Sequence, residues 1–392
     1  MKRLRFDGIA LYFLLLLSGI TTFPAEVLGE NNTQPRNQPG HETTLKKTLD
    51  VAMEEAFEKA EEQVTEKVAQ ATKKKEEFKS ERPDDGQGPT RVNFSVFVLD
   101  IDDIDDARQN FMANIFVKLR WKDGRLANPD GLSRELELED IWHPQIIIAN
   151  RQGMISQSLP EVVDVAADGT VTFRQRYSGM FSQPMQLADF PFDRHPFNVH
   201  FISVTYSDKE VEFVPETSPE DPSLVGGSMA KNLSLPSWKV VSYSARALPY
   251  QPIKELDTAG FVFQFVAERY VRYFFWQVIL PLSVVVMMSW ASFWIERGQV
   301  GVRIGVATSS ILTLIAQRFV LANLLPKLPY MTRMDFFTVG CTVLVLLALV
   351  GAVATSYLRA TDRDVIARRI DLWARGIFPA SFILLLAWFM YG

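Results

Sequence analysis

Cysteine and histidine are the scarcest reactive residues in this 392-residue chain, with one cysteine and four histidines. Cys341 alone cannot close a disulfide within the chain, and it lies inside an apolar stretch. No Cys/His spacing resembles a metal site, so no metal or cofactor is expected. No Ser/His/Asp or Cys/His set marks a nucleophilic enzyme, and the chain is not read as one. A net charge of -5 with no basic face argues against a nucleic-acid partner. Long hydrophobic runs are sparse in the middle of the chain and crowd its last third.

Length and this split in texture suit two domains. Lys2, Arg3 and Arg5 precede an apolar run from Ile9 to Ile20, with small residues near Ala25. That pattern predicts an export signal over residues 1–25, or an uncleaved anchor. Residues 26–90 then read as an extension. Its Asn/Gln/Pro-rich start is a linker, followed by a charged helix whose apolar residues form one stripe: Leu45, Leu49, Met53, Ala56, Ala60, Val64 and Val68. The helix is either a single surface helix or a self-associating coiled coil.

Residues 91–269 change to short alternating strands. Val92, Phe94, Val96 and Val98 alternate with other residues, as do Ile115, Val117 and Leu119. Further strands are expected at 170–177, 198–204, 239–244 and 261–266, separated by Gly, Pro and Asp clusters. An all-β sandwich is the expected fold. The run Asp100, Asp102, Asp103, Asp105 and Asp106 reads as a solvated acidic turn or a Ca²⁺ site.

Residues 270–392 hold four stretches long enough to cross ~30 Å of hydrocarbon, at about 274–295, 300–325, 334–358 and 372–391. Arg359, Arg363, Arg368 and Arg369 fill the third loop, and Arg297 and Arg303 lie at the first. The basic loops belong in the cytoplasm, which puts the sandwich outside. The expected location is a membrane that the chain crosses several times, with lipid around the helices. The second stretch is unusual in its Thr and Ser content. Gly305, Ser309, Leu312, Ala316 and Phe319 (or Val320) follow steps of three and four, forming one face. Hydroxyls at membrane depth need water or a partner. Ser309 could replace ion hydration and a ring of Leu312 could dewet and close a pore; small-residue helix packing is the other reading. Arg303 would favour anions if it faced that pore.

The segment Leu187-Ala188-Asp189-Phe190-Pro191-Phe192-Asp193 resembles the signature loop of the Cys-loop receptor superfamily, the pentameric ligand-gated ion channels. Gln183 and Phe197 stand where animal members have cysteines, as in the prokaryotic branch, and this implies a multi-pass protein of a bacterial inner membrane. Trp142-His143-Pro144-Gln145, Trp121-Lys122-Asp123, Pro281 and Pro326-Lys327-Leu328-Pro329-Tyr330 also fit, in family order. The resemblance implies a pentamer of identical subunits that passes inorganic ions through a pore lined by the second helices. It implies a ligand site between sandwiches, with Phe116, Tyr206, Tyr243 and Tyr250 as candidates for a small-molecule agonist. Protons are the other candidate agonist, through His195 and His200. It also implies coupling through Asp193, Arg269, Pro326, Lys327 and Pro329. A non-conducting membrane-anchored sensor is the rival reading. A secondary transporter would need inverted repeats, and four spans show none.

Overall fold

The computed structural model describes residues 41–84, 86–217, 225–253, 256–296, 298–322 and 328–392. The predicted signal and linker, together with Arg297, Pro326 and Lys327, lie outside those residues. The chain divides into two compact units, Met1–Ala71 and Thr72–Gly392. Helix α1 runs over His41–Ser80; its Glu, Lys and Ala content suits a helix, and Met53, Phe57 and Val64 along it are exposed.

Among the described residues of the second unit, thirteen strands form two sheets. The larger contains β1 (Thr90–Asp105), β2 (Asn110–Lys122), β3 (Arg134–Glu137), β5 (Arg151–Gln157), β6 (Val162–Val165), β7 (Thr170–Ser182), β9 (Val211–Pro215) and β10 (Gly227–Met229). The smaller contains β4 (Ile146–Ile148), β8 (Arg194–Ser207), β11 (Trp238–Ala247), β12 (Tyr250–Ile253) and β13 (Leu256–Arg269). Alternation dictates the core: one face of β1 and β2 buries Val92, Phe94, Val96, Ile115, Val117 and Leu119. The facing side chains come from β8 and β13. Phe94 of β1 stacks on Phe261 of β13 at 4.3 Å and Phe111 of β2 meets Phe197 of β8 edge-on at 5.4 Å, which ties the sheets into the expected sandwich.

Two register shifts interrupt β1 against β2, between Val98 and Asp100 and between Ile101 and Asp103. Each bulge resets the alternation, so Ile101 and Ile104 turn inward although acids surround them. Asp100, Asp102, Asp103 and Asp105 therefore lie on the end of a strand, and Asp106 opens the turn that follows it.

Four helices follow: α2 (Arg272–Ala291), α3 (Val300–Ala322), α4 (Arg333–Ala360) and α5 (Asp364–Tyr391), all long and apolar enough to cross a membrane. A π turn at Phe275–Ile279 sits just ahead of Pro281, where a missing N–H already perturbs the helical ladder. Helix α4 begins with a capping box between Thr332 and Asp335. Helix α5 begins eight residues before the predicted Leu372, at Asp364. Hydropathy marks only the membrane-deep part of a helix, and the charged Asp364–Asp371 stretch is its continuation beyond that depth.

Candidate functional site

The base of the sandwich carries a buried polar knot. Arg269, the last residue of β13, is 8% exposed. Its Nε and Nη2 donate to Asp193 Oδ1 and Oδ2, both at 2.9 Å. Its Nη1 and Nη2 also donate to Asp106 Oδ2 and Oδ1 at 2.8 and 3.0 Å. The guanidinium lies 4.1 Å above the Trp238 ring and 4.7 Å from that of Phe190, so planar stacking adds to two fork-like ion pairs. Asp193 Oδ2 further bonds His195 Nε2 at 2.9 Å.

Burial by itself would raise the Asp193 pKa; the bonds from His195 and Arg269 outweigh it and hold it below 3.8. For Arg269, burial pulls the value down and the two carboxylates hold it above its ordinary value. The predicted Asp193–Arg269 pairing is thus present, but the knot has a second acid. The sequence pattern places Asp106 only in an acidic run, a solvated turn or a Ca²⁺ site. Nothing in its spacing signals a partner 163 residues away; the bulges of β1 carry it there.

The signature loop lies against the helices. Its Phe190–Pro191 bond is cis. Tyr330 Oη accepts from Leu187 N at 3.0 Å, Arg333 N donates to Ala188 O at 2.8 Å, and Met334 N donates to Phe190 O at 3.2 Å. Phe190 meets Phe274 of α2 at 4.8 Å, and Phe192 meets Phe389 of α5 at 5.3 Å. One loop therefore touches α2, α5 and the start of α4. Pro329 lies next to Tyr330, on the edge of this contact.

Helix α3 has two unlike faces. Arg303, Ala307, Ser310 and Leu314 are buried, and the helix packs on α2 and α4. Gly305, Ser309, Leu312, Ala316 and Phe319 are all exposed, together with Thr308 and Thr313. Leu312 is 63% exposed in the lone subunit. Arg303 corrects the selectivity argument: it is on the opposite face, 0% exposed. Its Nε donates to Ser292 O and its Nη2 to Asp371 Oδ1, both at 2.8 Å. A carboxylate on α5 had claimed it, and no local pattern in α3 announces that.

The ligand candidates are scattered within one subunit. Tyr206 turns inward: it is buried, and its Oη accepts from Trp142 Nε1 at 2.9 Å. It belongs to the core and is removed from the candidate set. Tyr243 stacks on Phe263 and lines a cavity of about 660 Å³ with Trp238 and Tyr270. Tyr250 lies 6.1 Å from the His200 ring, beside a cavity of about 420 Å³ lined also by Asn150 and Gln183. Burial first, and Arg246 second, hold the His200 pKa below 6.5. Phe116 is half-buried on the outer face of β2, opposite Phe97 of β1.

Comparison with known proteins agrees with this architecture. The model of the neurotransmitter-gated ion-channel ligand binding domain matches residues 62–270, and that of the neurotransmitter-gated ion-channel transmembrane region matches residues 278–364. The first match begins inside α1, ahead of the predicted domain start at 91. A gamma-aminobutyric acid receptor subunit beta-like protein of Drosophila melanogaster is 27% identical over 300 residues, covering 70% of this chain and 58% of its own. Gamma-aminobutyric acid receptor subunit alpha-2 of Bos taurus is 27% identical over 285 residues, covering 70% and 62%. A proton-gated ion channel of Gloeobacter violaceus is 24% identical over 314 residues, covering 78% and 84%. The chain thus spans about three fifths of the two receptor subunits' length. With the sandwich, the docked signature loop and four apolar helices in one order, the chain belongs to the neurotransmitter-gated ion-channel family, the Cys-loop receptor superfamily.

Proposed function

We propose that this chain is one subunit of a homopentameric ligand-gated ion channel, set in a bacterial inner membrane with its sandwich on the outer side. The supporting observation is the exposed face of α3. Thr308 and Ser309 stand uncovered beside Leu312 in a helix of membrane-spanning length, whereas the exposed Thr313 donates its hydroxyl back to Ser309 O at 2.9 Å. Hydroxyls facing lipid would be costly, whereas five copies around an axis would give them water. Ser309 then replaces part of an ion's hydration, and the Leu312 ring closes the pore by dewetting. Agonist binding between sandwiches favours the open state by its differential affinity. The push passes through Asp193, Arg269 and the signature loop to Pro329 and the start of α4, with Pro326 and Lys327 in the receiving loop. Phe116 of one subunit and Tyr243 or Tyr250 of its neighbour are the proposed agonist contacts.

Protons are a second reading of the agonist, favoured by His195 in the knot. Two carboxylates there face one arginine, and the His195 ring lies 2.9 Å from Asp193 Oδ2. In purified full-length protein in planar bilayers with asymmetric NaCl, discrete currents altered by Leu312→Ala are expected. Silence of intact pentamers at every pH and across a ligand screen would favour the non-conducting sensor.

A further inference from the structure

Helix α1 carries an apolar stripe that stands in solvent in the lone subunit: Met53 is 65% exposed, Phe57 56% and Val64 43%. The pairs Leu45/Ala56, Leu49/Ala60 and Met53/Val64 recur at the ~11-residue interval that winds helices in a right-handed supercoil. We propose that α1 packs side by side with the α1 helices of neighbouring subunits as a parallel, right-handed coiled coil, so that the stripe is covered by further copies of this chain. The inference rests on the oligomer proposed above.

The two edges of the stripe decide the orientation. Wound on that repeat, one edge presents Met53, Phe57 and Val64, with Glu61 beyond them. The other presents Ala52 and Ala56 in its first half and Gln63 and Lys67 in its second, with Lys59 beyond. Subunits related by rotation contact head to tail, each bringing its first edge to its neighbour's second. Met53 and Phe57 then meet Ala52 and Ala56, Val64 packs on the stems of Gln63 and Lys67, and Glu61 faces Lys59. An antiparallel pair would set bulk against bulk and acid against acid. A membrane surface is the weaker occupant, because in the stretch 51–68 that carries the exposed stripe Glu54, Glu55, Glu58, Glu61, Glu62 and Glu66 outnumber Lys59 and Lys67, the reverse of a helix that lies on anionic lipid.

The test uses the full-length protein with Cys341→Ala and a single cysteine at Met53→Cys, Val64→Cys or Glu58→Cys. A short bismaleimide is added, and the oligomer's mass is measured by light scattering on the same sample. The expected result is a covalent ladder of dimers and higher species for Met53→Cys and for Val64→Cys, with Glu58→Cys, on the far face, left monomeric on a denaturing gel. Same-residue links at both positions require parallel neighbours. If Cys341→Ala lowers the yield, the set is run with the buried Cys341 retained and the unmodified chain as its baseline. An intact oligomer in which either stripe position fails to link, or Glu58→Cys links as well, overturns the helix inference alone. A monomeric mass overturns the oligomer reading and this one with it.

Discussion

Arg269 grips Asp106 with both terminal nitrogens, at 2.8 and 3.0 Å, while it holds Asp193 through Nε and Nη2. One arginine at the end of β13 therefore joins the far end of β1 to the exit of the signature loop. Neither acid can lose it cheaply, since Asp193 is buried and Asp106 is shielded.

Arg269→Met should destabilise the folded chain by about 3–5 kcal/mol, because it leaves carboxylates buried without a counter-charge. Arg269→Lys should recover little of that, since an ammonium cannot make two forks. Asp106→Asn and Asp193→Asn should be non-additive in a double-mutant cycle read by thermal unfolding, as expected for two groups sharing one partner. Additive losses would mean that the arginine serves the two acids independently.

Arg303 leads to a contrasting expectation. It lies at the cytoplasmic end of α3 by charge distribution, yet its side chain is buried against Ser292 and Asp371. Arg303→Gln should lower the thermal stability and yield of the oligomer while leaving the reversal potential in asymmetric NaCl unchanged. A shift of that potential toward cation permeation, with stability intact, would put Arg303 at the conduction path after all.

Much of this architecture was legible because its signals are periodic. Val92, Phe94, Val96 and Val98 alternate as a half-buried strand must, and the four apolar runs match bilayer thickness. The exposed face of α3 was also predictable, as steps of three and four keep Gly305, Ser309, Leu312, Ala316 and Phe319 in line. What escaped were relations between distant segments. Asp106 reaches Arg269 only because two bulges re-aim the end of β1. Arg303 belongs to the buried face because Asp371, on another helix, pairs with it. Tyr206 is a ligand candidate by resemblance alone, and the Trp142 indole donates to its hydroxyl inside the core.

That inward turn of Tyr206 separates packing from ligand contact. Tyr206→Phe removes the acceptor for a buried N–H and should cost about 1–3 kcal/mol of stability. The agonist concentration giving half-maximal current should not move, once an agonist is found. Tyr250→Phe or Tyr243→Phe should do the reverse for whichever of them touches the agonist. A large change in apparent affinity from Tyr206→Phe, with unfolding unaltered, would return that tyrosine to the binding site.

The pH dependence of stability follows from two other histidines. Burial is the main cause holding both His143 and His200 below 6.5. Lys79 adds to it for the first, against an opposing Glu139, and Arg246 adds to it for the second. Both are neutral in the folded chain at pH 7. As pH falls below 6.5 the unfolded chain takes up protons that the folded chain still refuses, so stability rises with pH across that window. The contribution is complete above 6.5 and is lost progressively as pH drops through the folded values. Asp193, held below 3.8, stays ionised throughout and adds nothing to that slope. The thermal midpoint should therefore fall between pH 7 and pH 5, and the His143→Gln, His200→Gln double variant should flatten the decline. A decline that persists undiminished in the double variant would assign it to other groups. His195, bonded to Asp193, would be the first to substitute next, by His195→Gln, with current and unfolding recorded on the same preparation.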